Sequence, residues 1–185
     1  MNHYSAPLLL LRMSCVLLIY PVNSTFAKDL ISSTKWNDNS GEHTLVIEKQ
    51  ISKDQSGEHL SIKQLTQGNV DWVLNDYVND CILDIKLDVV TDSVEVNKTI
   101  SDGVGTVLFA YKIGCIGGLD PVTVKYFAYK YGVKHSLRGE EHIVVESGSY
   151  GGENPPIPDY NLKKDKPLLN YMLKKWKAIS TTKIN

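Results

Sequence analysis

Residues 81–90, CILDIKLDVV, alternate between apolar and polar side chains. Cys81, Leu83, Ile85, Leu87 and Val89 fall on one side of an extended chain, and Asp84, Lys86 and Asp88 fall on the other. Successive side chains of a strand point to opposite faces, so this pattern fits a half-buried β-strand and not a helix. The same texture runs through most of the chain. Residues 43–51 (HTLVIEKQI) and 59–65 (HLSIKQL) are short strand candidates separated by turn chemistry. Residues 106–113 (TVLFAYKI) and 122–131 (VTVKYFAYKY) are rich in the β-branched and aromatic residues that favour strands. GCIGGLDP between them reads as a loop, with Pro121 opening the next strand. Residues 134–139 and 142–147 complete the strand set, and 148–160 hold too many Gly and Pro residues to be regular.

One segment has a different period. In KPLLNYMLKKWKAI, Leu168 or Leu169, Met172, Trp176 and Ile179 share a stripe at helical spacing, and Pro167 suits a first helical turn. The expected fold is therefore α+β: a mainly antiparallel, meander-like sheet with a C-terminal amphipathic helix, about 166–180, packed on it. A chain of 185 residues suits one such domain.

The N-terminus reads as an export leader. Residues 8–20 are apolar apart from Arg12, and NSTFA follows with small Thr25 and Ala27 where a signal peptidase needs them. Cleavage after Ala27 is expected, leaving 28–185 as one β-rich domain with no transmembrane span. The interrupted apolar run is short for a span of about 20 residues. Met13 offers a second start. A lipidated cysteine closes an apolar run, whereas Cys15 lies inside one, so no lipid anchor is expected.

Export changes what the cysteines mean. Without the leader only Cys81 and Cys115 remain, and in an oxidising compartment they are expected to form a disulfide. Loss of Arg12 leaves 19 basic residues against 21 acidic ones, and this near-neutral balance argues against general nucleic-acid binding.

The most conspicuous motif is Asp-x-Ser-Gly-Glu-His, written at 38–43 and again at 54–59. Asp, Glu and His are all metal ligands. However, a hairpin around 52–57 places His43 opposite residues 64–66 and His59 opposite Gln50. The two rings are then ~20–25 Å apart along the ribbon, too far to share an ion. Two copies of a turn that launches a strand is the better reading, and no metal site is expected. GCIGGLDP lacks the spacing and Lys-Ser/Thr pair of a phosphate-binding loop, and SDGVG lacks the carboxylates of a calcium loop. No cofactor motif is present.

Binding chemistry is concentrated late in the chain. Arg138 is the single arginine outside the leader, and arginine makes bidentate carboxylate contacts that lysine does not reproduce. It suits an acidic sugar or an internal ion pair, the second being favoured. Seven lysines follow Leu162, and Lys174, Lys175 and Lys177 lie on the helix, where a solvated face competes with an anionic surface as their role. His135 and His142 flank Glu140 and Glu141, residue types that can form an acid–base pair.

Residues 100–139 carry a pattern that resembles a family of exported bacterial proteins labelled surface polysaccharide biosynthesis proteins. The matching residues are Asp102 and Gly103, Phe109 and Tyr111, Cys115, Pro121, Lys125, Lys134, and the Leu137-Arg138-Gly139 run. Gly-Glu-His before a strand, the segment 76–81 and a closing helix ending in Trp176 extend the likeness over most of the mature chain. The Asp-rich stretch of the family is shortened here to Ser101-Asp102-Gly103, and His135 stands where the family has tyrosine. The resemblance implies a place in the cell envelope and no particular reaction.

The sequence thus leads to a non-enzymatic envelope protein, periplasmic or secreted, that binds a protein partner or an anionic glycan. Two alternatives stay open. One is a periplasmic immunity protein that inhibits a toxic envelope-targeting enzyme. The other is a hydrolase built on His135 or His142.

Overall fold

A computed structural model describes residues 27–184. The apolar leader and Cys15 lie outside these residues. Strands β1 (Ala27–Asp38), β2 (Gly41–Ile51), β3 (Glu58–Thr66) and β4 (Asn69–Val78) form a four-stranded antiparallel meander. A second meander follows, with β5 (Asp84–Thr99), β6 (Gly105–Ile116), β7 (Thr123–Lys130) and β8 (Val133–Glu140). The chain continues through β9 (His142–Val145), β10 (Gly148–Tyr150) and β11 (Ile157–Pro158), then α1 (Tyr160–Lys164), α2 (Lys166–Ser180) and β12 (Thr181–Lys183). β11 adds to the edge of β8, giving a five-stranded sheet in the order β11-β8-β7-β6-β5. A small third sheet has β9 between β10 and β12, and its β9–β12 pair is parallel.

The single sheet expected from the sequence is therefore three sheets. The reason is visible in β6 and β7, whose side chains are buried on both faces. Val107, Phe109, Tyr111, Phe127 and Tyr129 join Leu45, Ile47, Leu60, Ile62 and Leu74 of the first meander in one core. Their neighbours Leu108, Ala110, Val124, Tyr126 and Ala128 share a second core with Leu162, Leu168, Met172 and Ile179 of the helical segment. Strands covered on both sides need apolar residues at every position, which is why TVLFAY and YFAY do not alternate with polar residues.

β5 begins at Asp84, later than the alternation suggests, and leaves Leu83 exposed. Ile85, Leu87 and Val89 face the first core, but beyond Val90 the even-numbered Val94 and Val96 do so. The register shift after Val90 causes the change: five residues of β5 lead from Val90 to Glu95 while two of β6 lead from Ala110 to Leu108, and an odd surplus moves the later side chains to the other face. Ser93 holds the break, with its Oγ donating to Val90 O (2.6 Å) and accepting from Ala110 N (2.7 Å). The Cys81–Cys115 disulfide forms, with its Cα atoms 5.7 Å apart. It fastens the chain entering β5 to the end of β6.

α2 spans the residues expected of it. Asp165 accepts a bond from Leu168 N at its N-terminus, and Thr181 N donates to Lys177 O at its end. Among the described residues no helix is long and apolar enough to cross a membrane.

Candidate functional site

The repeated motif folds as two copies of one turn. Asp38 Oδ1 accepts from Ser40 N (2.7 Å) and Ser40 Oγ (2.6 Å). Asp54 accepts from Ser56 N (3.2 Å) and Ser56 Oγ (2.9 Å) in the same way. The hairpin register pairs His43 with Thr66 and Gln50 with His59. His43 is in line with core residues Leu45 and Ile47, whereas His59 is one residue out of phase with the inward-facing Leu60 and Ile62. The two histidines thus lie on opposite faces of the sheet. Among the described residues no group of three or more His, Cys, Asp or Glu is placed to hold a metal.

The two copies differ in what surrounds the histidine. His59 stacks on Tyr77 and its Nε2 lies 3.0 Å from Asn75 Oδ1 at the surface. His43 is buried, stacked on Trp36 with ring centroids 5.0 Å apart, and its Nε2 lies 2.8 Å from Asp38 Oδ1. Its Nδ1 lies 2.8 Å from Thr66 Oγ1. Thr66 donates its hydroxyl hydrogen to Asp71. The bonds from Ser40, then from His43, hold the Asp38 carboxyl down to about 2. This cluster borders an open cavity of about 410 Å³, with Trp72 and Tyr129 stacked face to face at 3.7 Å on another wall.

A second cavity, of about 650 Å³, contains Arg138. Arg138 pairs across the ladder with Lys125 and is exposed, its guanidinium carbon 5.8 Å from the Phe127 ring centre. It makes no ion pair among the described residues, so the internal role favoured from sequence is not the one it has. The internal pair belongs to Lys125 instead, which binds Asp76, and Asp76 also accepts from Tyr111 Oη at 2.7 Å. Burial alone would raise the Asp76 carboxyl; the bonds from Lys125 and Tyr111 outweigh it and hold it below the ordinary carboxylate range. Burial, and then the bond to Asp76, push the Tyr111 phenol up. The carboxylates bordering the Arg138 cavity already have partners: Glu140 accepts from Gly152 N (2.9 Å), and Asp159 accepts from Ser136 Oγ (3.0 Å) and Leu162 N (2.8 Å). Lys134 and Arg138 are the cations that border it, both without ion pairs among the described residues.

No family model, curated protein or solved structure matches this chain.

The helix lysines do not act as one group. Lys175 Nζ is 2.6 Å from Glu95 Oε1 and sits over the Tyr171 ring, while Lys174 and Lys177 are exposed. His135 and His142 border different cavities. His142 Nδ1 lies 2.8 Å from Gly151 O, and His135 is buried with Nδ1 unpartnered. Asp102 pairs with Lys130, which also binds Asp165 at the start of α2.

Glu141 is fully buried. It accepts from Lys86 Nζ at 2.9 and 3.1 Å, from Lys112 Nζ at 2.9 Å, and from Thr182 Oγ1 in β12. Sequence reading placed Glu141 beside His142 because they are neighbours in the chain. Alternating side chains separate them, and the lysines that claim Glu141 come from β5 and β6. Trp36, Trp72 and Asp71 were missed as well, since nothing local links residues that meet only across paired strands.

Proposed function

We propose that this protein is a non-enzymatic, exported cell-envelope protein that binds an anionic glycan in the Arg138 cavity. One observation carries the proposal: β8 presents Arg138 in a cavity, without an ion pair among the described residues, with Lys134 beside it in the same state. A planar guanidinium offers two parallel donors to a uronic acid carboxylate, and a neutral hydroxyl cannot accept both equally well. The disulfide and the leader pattern support export, and the polysaccharide-family likeness of residues 100–139 supports an envelope setting.

The test is calorimetric titration with an oligogalacturonate and, as a control, its neutral methyl ester. Arg138→Ala is expected to weaken oligogalacturonate binding about ten- to a hundredfold, the loss of a charge-assisted contact of about 1.5–3 kcal/mol. Equal affinity of wild type and Arg138→Ala, or equal affinity for the two oligosaccharides, counts against the assignment.

A second reading, inhibition of a partner enzyme, draws on a different surface. Ile82 is 95% exposed, Leu83 beside it is exposed too, and so is Leu119, close in sequence to Cys115 at the other end of the disulfide. Apolar side chains on braced loops suit insertion into a partner's cleft. Capture of an envelope enzyme by wild type, lost in Ile82→Asp, would favour it.

A further inference from the structure

We propose that the cavity beside His43 is a second binding site, specific for a neutral pyranose ring. It stands independently of the Arg138 cavity.

The polar groups of this cavity are held in place and only partly used. Asp38 commits Oδ1 to Ser40 and His43, and its other oxygen has no bond among the described residues. Asp71 commits Oδ2 to Thr66 and Gln64, leaving Oδ1 likewise without a bond. Donors are also free: the Asn97 amide and the Trp36 indole N–H make no hydrogen bond among the described residues. A ligand that fits both sets must donate and accept within one ring's width. Hydroxyl groups do this, whereas an ammonium group only donates and a carboxylate ligand would meet two carboxylates. The aromatic wall suits the C–H face of a sugar, and a volume of about 410 Å³ holds a single ring.

Tyr131 supplies an independent reason. It forms the β7–β8 turn with Gly132, and both have positive φ, 53° and 70°. A two-residue turn of this kind favours Asn, Asp or Gly at its first position, and a bulky residue there is strained. The β3–β4 turn also has a poor residue, Gln67 at φ 52°, but its amide donates to Ser40 O at 3.1 Å and so braces the fold. Tyr131 makes no hydrogen bond among the described residues, is 68% exposed, and has the Lys130 ammonium 5.9 Å from its ring centre. Folding does not account for it. Its position on the rim of the cavity does, because an exposed ring there can close over a bound sugar.

The experiment uses the mature protein and the methyl glycosides of glucose, galactose, mannose and N-acetylglucosamine. Binding is followed by calorimetry and by tryptophan emission, since Trp36 and Trp72 border the cavity. At least one glycoside is expected to bind and alter the emission. Tyr131→Asn is expected to weaken that binding at least tenfold while raising the thermal midpoint by about 2–4 °C, as the turn gains its preferred residue. Because this variant is expected to be more stable, a loss of binding cannot be ascribed to unfolding. Asp71→Asn is expected to weaken binding as well. The proposal is overturned if none of the glycosides binds, if Tyr131→Asn binds as wild type does, or if choline binds in their place.

Discussion

Replacing Glu141 by Gln keeps the shape of a fully buried side chain and removes its charge. Two cations depend on that charge, and they differ in what they can do without it. Lys86 has a side chain 23% exposed and can turn its ammonium to water. Lys112 is 6% exposed, pinned between Glu141 and Thr182, and stays buried without a counter-ion. Breaking a buried pair from one side costs about 3–5 kcal/mol, because the remaining charge is uncompensated. With a urea slope of about 2 kcal/mol/M, the unfolding midpoint of Glu141→Gln should fall by about 2 M with the slope unchanged. The β12–β9 pairing should loosen first, as raised amide exchange over Thr181–Lys183, because Thr182 bonds the same carboxylate. Adding Lys112→Met removes the stranded charge, and the double variant should regain most of the loss. A loss below about 1 kcal/mol, or a double variant less stable than Glu141→Gln, would refute the reasoning. Acid should act in the same direction. Burial would raise the Glu141 carboxyl, but Thr182, Lys112 and Lys86 together lower it from its ordinary 4.5. A carboxyl lowered by folding adds stability above its ordinary value, and that stability fades as pH falls through the folded value.

Paired replacement of Cys81 and Cys115 by Ser, or reduction of the bond, should lower unfolding free energy by about 4 kcal/mol for the 34-residue separation, read from urea melts. His135 should give an acid-sensitive step of its own: burial lowers its pKa from 6.5, and so the unfolded chain takes up the proton first. Stability is then full above about 6.5 and declines as pH falls below it; a flat stability–pH profile from 7 to 5 that is the same in His135→Phe would contradict this. Gly139→Ala should destabilise, since a Cβ there would meet the Trp176 ring at 2.7 Å and Pro156 Cα at 3.3 Å, and a thermal midpoint equal to wild type would show that this contact yields freely.

Local pattern alone settled much about this protein. Alternation and β-branched runs marked the strands β2, β3, β6, β7 and β8, because a strand's period is written in the few residues that form it. The stripe of Leu168, Met172 and Ile179 marked α2 for the same reason. The Asp-x-Ser-Gly turns were legible too, as their bonds reach only two residues. Edge strands were harder to see. β1 and β4 each pair on one side, and β4 exposes Val70, Val73 and Tyr77, so neither needs the continuous apolar sequence that burial imposes. The continuous runs in β6 and β7 carried a message that was read only as β-propensity: both faces of their sheet are covered.

The candidate sites were decided by tertiary structure. The first Asp-x-Ser-Gly-Glu-His copy looks identical in chemistry to the second, yet only His43 faces inward to meet Thr66 and Trp36. Strand phase against the core makes that difference, and no motif records it. Arg138 was singled out by its rarity, but the internal ion pair on its ladder position belongs to its cross-strand neighbour Lys125, which binds Asp76. Glu141 shows the same principle in the core, since its partners lie 55, 29 and 41 residues away. Short-range periodicity is a property of the backbone and survives in the sequence. Which polar groups find one another across sheets depends on register and layer order, and only the folded chain supplies those.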